Sequence, residues 1–113
     1  MLFRSPAPRG VTDLSVAGTY DAVFSEVWPR GLLTRKERRI VTVSCVVASA
    51  SMTAAEAHAQ GALRTGDLTY DELSELVHHC AFTTGWPRAA QMATTAMRAA
   101  AVVAEERAGN QQS

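Results

Sequence analysis

Apolar residues recur along this chain at helical spacing, in blocks punctuated by threonine, glycine and proline. Three Thr-x-x-Glu strings, Thr34 to Glu37, Thr53 to Glu56 and Thr69 to Glu72, each precede an apolar block. The spacing is that of a capping box, in which the threonine hydroxyl and the glutamate satisfy each other's end of the first turn. Gly66 and Gly85 fall where helices would stop in a left-handed C′ residue, and Pro87 falls at a new first turn. The pattern predicts an all-α chain of about five helices, at 12–27 with a break near Gly18, 35–50, 54–65, 70–84 and 87–107. Trp28-Pro29-Arg30-Gly31 is a loop between the first two. Residues 1–11 are expected to be a flexible lead, 12–108 one helical domain, and 109–113 a frayed end.

The faces of these helices predict association. In the 70–84 segment Leu73, Leu76, Val77, Cys80 and Thr84 share one face, with Glu72, Glu75, His79 and Thr83 in a polar stripe beside it. Phe82 lies nearly opposite, next to His78. In the 35–50 segment Ile40, Val41, Val43, Val46 and Val47 surround the helix. A chain of 113 residues struggles to bury two such helices, so a homo-oligomer is expected.

Composition narrows the class. Hydrophobic residues make up 47% and charged residues 19%, which fits a globular domain. Eleven basic and eleven acidic side chains cancel, which argues against a nucleic-acid partner. The Arg35-Lys36-Glu37-Arg38-Arg39 cluster reads as a solvated first helical turn. Residues 1–10 show no apolar signal segment, and the apolar runs are too short for a membrane span. Cys45 and Cys80, in no redox or metal spacing, read as small buried hydrophobes in a reduced, cytoplasmic protein.

Three histidines offer acid/base chemistry. His58 stands among small neighbours, where its ring either occupies a pocket or sits at the surface. His79 is four residues after Glu75, so the two can pair on one helix face, as a tuned acid/base or as an exposed surface pair. His78 and His79 point about 100° apart and are not expected to share a metal ion. No phosphate-binding glycine loop or nucleophile elbow is present, and the second Trp-Pro-Arg string, at 86–88, has flanks unlike the first.

The order of these strings resembles the carboxymuconolactone decarboxylase family. Val27-Trp28-Pro29-Arg30-Gly31-Leu32 followed by Leu33-Thr34-Arg35-Lys36-Glu37-Arg38 is similar to its opening loop and helix start. His58-Ala59-Gln60-Gly61-Ala62-Leu63, Asp71-Glu72-Leu73-Ser74-Glu75, His79 and Gly85-Trp86-Pro87 follow in the family's order, across about residues 20–100. The alkylhydroperoxidase-like branch of the superfamily uses a Cys-x-x-Cys dithiol. Cys80 has no cysteine at 77 or 83, so thiol-dependent peroxidase function is the weaker expectation.

The resemblance implies an alkylhydroperoxidase-like orthogonal helical bundle, a trimer or hexamer, and a lyase that works without cofactor or metal in aromatic-compound catabolism. Its substrate would be a small carboxylate or lactone, decarboxylated or isomerised through an enolate. Such chemistry needs cations for the oxygens and an acid to protonate carbon. By resemblance, His58 and His79 supply acid/base catalysis, Glu72 and Glu75 orient them, and Arg30, Arg38, Trp28, Trp86 and Thr83 hold substrate. Thr83 stands where the family suggests a tyrosine and His78 where it suggests an aliphatic residue. These departures remodel the pocket wall and admit a related lactone or enolisable carboxylate. The alternative is a non-catalytic helical oligomeric module that has kept the fold.

Overall fold

The computed structural model describes residues 23–112. They form a short π-helix, Val23–Val27, and four α-helices: α1 (Arg35–Ser49), α2 (Met52–Thr65), α3 (Tyr70–Thr84) and α4 (Trp86–Gln112). No strand occurs among the described residues. The chain divides into two units at Arg35/Lys36. The helix expected at 12–27 falls mostly outside the described residues, as does the lead at 1–11; its last five residues are the π-helix.

In the described part of the first unit, Trp28 N–H reaches back five residues to the Val23 carbonyl at 3.0 Å. The Trp28 ring is buried and tilted against Phe24, with centroids 4.6 Å apart. The Arg35 guanidinium stands 5.1 Å from the Trp28 ring centroid, within cation–π range.

In the second unit, α4 packs along both α2 and α3. Its buried residues Ala89, Met92, Ala96, Ala99 and Val103 repeat at alternating steps of three and four, the stripe of a helix with one seam inward. They meet Ala55, Ala59, Ala62 and Leu63 of α2 and Leu73, Val77 and Cys80 of α3 in one core. Alanine dominates this seam, and small side chains let helix axes approach closely. Along α1, Val43, Val46 and Val47 enter the same core, while Ile40 and Val41 are exposed at 38% and 55%. The β-branched run is thus helical, with one face buried rather than all of it.

Helix ends show which local signals prevail. The Thr69 box forms completely: Glu72 N–H donates to Thr69 Oγ1 at 3.1 Å, and Thr69 N–H donates to Glu72 Oε1 at 2.9 Å. Thr69→Ala is expected to cost about 1 kcal/mol of stability, read as a lowered denaturant midpoint. The Thr53 string caps nothing, because α2 begins at Met52 with Ser51 as its N-cap. Ala50, at φ +58°, turns the chain there, and Ser51 is the next residue in extended geometry.

Gly66 closes α2 in the left-handed conformation, φ 79°, with its N–H on the Leu63 carbonyl. Gly85 departs from the expected left-handed cap. At φ 100° and ψ 150° it occupies a region open essentially to glycine alone, and α4 starts directly after it at Trp86. Pro87 then sits in the first turn, where a missing N–H costs nothing.

The far end of α4 also departs from expectation. It passes Arg107 and continues through Gly109 to Gln112. Arg107 donates to the Leu63 carbonyl at 2.9 Å, and Arg64 grips both oxygens of Glu106 at 2.9 and 3.0 Å. These ties to α2 hold the last turns and offset the roughly 1 kcal/mol penalty of a helical glycine.

Candidate active site

Two polar arrangements lie between α1 and its neighbours. The first is buried. Arg39, at 2% exposure, sits on the same inward face of α1 as Val43 and Val46. Its Nε and Nη2 both bond Asp67 Oδ2 at 3.0 Å, and its Nη1 lies 3.0 Å from His58 Nδ1. Arginine has no acceptor and keeps its protons, so His58 Nδ1 is the acceptor here. His58 is therefore the neutral tautomer with its proton on Nε2. Burial, and then the Arg39 charge, push its pKa below the ordinary 6.5.

That shift has a pH signature. Between the folded value and about 6.5, the unfolded chain binds the proton and the folded chain does not, so stability rises with pH. The contribution of His58 is fully present above that window and is lost as pH falls through it. Urea unfolding of the native protein is expected to show a falling midpoint from about pH 6.5 downward, and His58→Gln a shallower fall. A native midpoint that stays level through that range would contradict the assignment.

Gly61 belongs to this network. A Cβ placed there would meet Arg39 Nη1 at 3.0 Å and Nη2 at 3.3 Å. The guanidinium is held by Asp67 and His58 and has little room to retreat. Gly61→Ala is expected to destabilise by about 1 kcal/mol or more, against the helix-propensity gain of similar size. Denaturant unfolding reads the sign directly.

The second arrangement is a cavity of about 350 Å³. Lys36, Ile40 and Ser44, four residues apart on α1, form one wall. Glu72, Glu75, Leu76 and His79 form the other, at the steps of three and four that align side chains on α3. Leu68 and the buried Cys80 complete the apolar lining. Lys36 pairs with Glu72 Oε2. That bond and the Thr69 N–H hold the Glu72 carboxyl below the usual carboxylate range. Glu72 is thus occupied at both oxygens, by a cap and by Lys36, rather than by an imidazole. Glu75 and His79 share the wall, although no hydrogen bond joins them.

The expected site residues divide. His79, Glu72 and Glu75 come together in the cavity. His58 does not line it and is held in the buried network instead. Arg38 is half-buried and outside the lining; its neighbour Arg39 is the arginine turned inward, which corrects the reading of that cluster as wholly solvated. Trp28 and Arg30 belong to the first unit, Trp28 buried and Arg30 exposed on its loop. Thr83 is exposed, donating to the Cys80 carbonyl at 3.2 Å, and Trp86 is 67% exposed; neither lines the cavity. Cys45, expected in the core, is exposed.

Sequence reasoning missed Lys36, Arg39 and Asp67. Arg39 had a signal: it lies four residues before Val43 and seven before Val46, so it shares their face. Among the described residues, no group of three histidine, cysteine or acidic side chains could hold a metal ion, and no helix is long and apolar enough to cross a membrane.

No curated protein and no solved structure matches the chain. Residues 16–106 match the family model described as the carboxymuconolactone decarboxylase family. That stretch covers most of the 113 residues, holds α1, α2, α3 and most of α4, and includes the cavity and the buried network. The chain therefore belongs to the carboxymuconolactone decarboxylase family.

Proposed function

We propose that this chain is a cofactor-free lyase or isomerase acting on a lactone or a related enolisable small molecule in the cavity between α1 and α3. The observation that carries the reading is the convergence of His79, Glu75, Lys36 and Glu72 on one cavity with an apolar lining. Loss of CO2 from a carboxylated substrate, or transfer of a carbon-bound proton to the neutral His79 imidazole, leaves an electron pair next to the unsaturated carbonyl that delocalises into it as an enolate. The Lys36 ammonium stabilises the enolate oxygen. Protonated His79 delivers its proton to carbon and regains one from water. Glu75, four residues before His79 on the same wall, sets a carboxylate beside the imidazole, and Glu72 holds Lys36 in place.

The test is direct. Native protein is incubated with carboxymuconolactone and with simpler butenolides, following CO2 release, ultraviolet absorbance and exchange of the carbon-bound proton for deuterium by NMR. Turnover or exchange that His79→Ala removes supports the reading. A folded native protein that neither decarboxylates nor exchanges any of them sinks it.

A second reading has its own observation. Phe82 is 80% exposed, Trp86 67% and Val41 55%. Apolar side chains of this size facing solvent suit association with further copies of the chain, and an assembly module with no chemistry would need them equally. A homo-oligomer in the cytoplasm, where Cys45 and Cys80 stay reduced, is part of the proposal; mass in solution by light scattering tests it.

A further inference from the structure

A second cavity, of about 360 Å³, opens where the end of α2 and the start of α3 meet α4. That volume is at the small end of the range for small-molecule sites, about 300–1,000 Å³. Its floor is apolar: Leu63, Leu68 and Val103 are 8%, 2% and 2% exposed. Its rim is polar, with Thr69, Tyr70 and Arg107 exposed. Arg107 is the cation of the described lining, which holds no carboxylate. The acids nearest in sequence are placed elsewhere. Glu106 is gripped through both oxygens by Arg64. Glu105 is two residues back along α4, about 200° around the helix, and Asp71 is outside the lining. Arg107 spends one N–H on the Leu63 carbonyl, and among the described residues no carboxylate pairs with it.

We infer that this second cavity is a binding site for a small apolar molecule carrying one carboxylate. The apolar body displaces water from Leu63, Leu68 and Val103, which supplies most of the attraction. The carboxylate stays at the rim and keeps part of its hydration, so the cost of burying a charge is small. There it meets the remaining N–H groups of Arg107, whose planar fork matches two carboxylate oxygens. One charge in the lining answers one on the ligand. The site is distinct from the proposed reaction cavity. Leu68 is common to both linings, whereas Lys36, Glu75 and His79 are outside this one. Binding here requires none of the chemistry proposed for the first cavity.

The probes are 3-phenylpropionate and its neutral amide, 3-phenylpropionamide. Binding of each to the native protein is followed by NMR on methyl groups of both cavities. The acid is expected to shift the methyls of Leu63 and Val103 and to leave those of Ile40 and Leu76 in place; Leu68, on both linings, moves with the first set. The amide is expected to bind about fivefold more weakly, the upper end for an exposed ion pair. Arg107→Gln, whose side-chain amide can still donate to the Leu63 carbonyl, is expected to erase that difference. Ala104→Phe fills the cavity from its exposed edge and is expected to abolish binding of both probes. The absence of shifts at Leu63 and Val103 overturns the inference. So does an amide that binds as tightly as the acid, or a preference for the acid that survives Arg107→Gln. Nuclear Overhauser contacts from residues 1–22 or from a second copy to those methyls in the unliganded protein also overturn it, because the chain itself then fills the cavity.

Discussion

Asp67→Ala is expected to destabilise the protein by about 3–5 kcal/mol, read as the loss of unfolding free energy in urea. Asp67 and Arg39 form an ion pair whose side chains are 7% and 2% exposed. Removing the carboxylate takes two bonds from a buried guanidinium that cannot shed its proton. Domains of this size have a stability of about 5–15 kcal/mol, so the loss is a large share of the total. The paired change Arg39→Met with Asp67→Leu separates the pair's own contribution from the penalty of orphaning one member. It is expected to be far milder than Asp67→Ala alone, because neither desolvated charge remains and apolar atoms fill the space. Equal losses in the single and the paired variants would show that packing at these positions, not the uncompensated charge, sets the cost.

His79→Ala is expected to lower kcat/KM about 10²- to 10⁴-fold while leaving the urea midpoint nearly unchanged. The imidazole is exposed on α3 and lies outside the hydrophobic core, so its removal costs little stability. Like Glu75, it is an acid/base side chain of the cavity that no cap or ion pair holds among the described residues. Added imidazole should restore part of the rate. Glu75→Gln is expected to act more weakly and to move the pH–rate profile rather than abolish turnover, since it works through His79. His58→Gln serves as the contrast: it should change stability on the acid side more than the rate. If His58→Gln removed turnover and His79→Ala did not, the site would move from the cavity to the buried network.

Much of the helical scaffold was legible in the chain itself. α3 runs from Tyr70 to Thr84 as its signals require, because a capping box at one end and a glycine at the other act within a turn of the residues that carry them. The Thr53 string has the same spacing and caps nothing, since the chain emerges from Ala50 in a geometry that places Ser51 first. α4 continues past Arg107 with support no local rule contains: Arg107 and Glu106 are held by α2, more than forty residues away in sequence.

The candidate site divides in the same way. Glu72, Glu75 and His79 could be grouped beforehand because helical periodicity alone puts them on one stripe. Arg38 was favoured over Arg39, although one step along a helix is a rotation of about 100° and decides between half-exposure and burial. What selects Arg39 is a carboxylate twenty-eight residues on and an imidazole nineteen on, together with the missing side chain of Gly61. Lys36 escaped notice because its partner is Glu72 on another helix.

The sequence by itself determined where most helices begin and end, which face of α3 is apolar and which polar, and the absence of a Cys-x-x-Cys dithiol. Each of these depends on neighbours within a few residues, where backbone geometry is nearly invariant. Only the tertiary structure decided that His58 is a buried, neutral partner of Arg39 and that Lys36 faces the acidic stripe across an apolar-lined cavity. Those outcomes depend on how α1 packs against α2 and α3. Burial, desolvation and charge pairing are properties of that packing, and no single helix contains them.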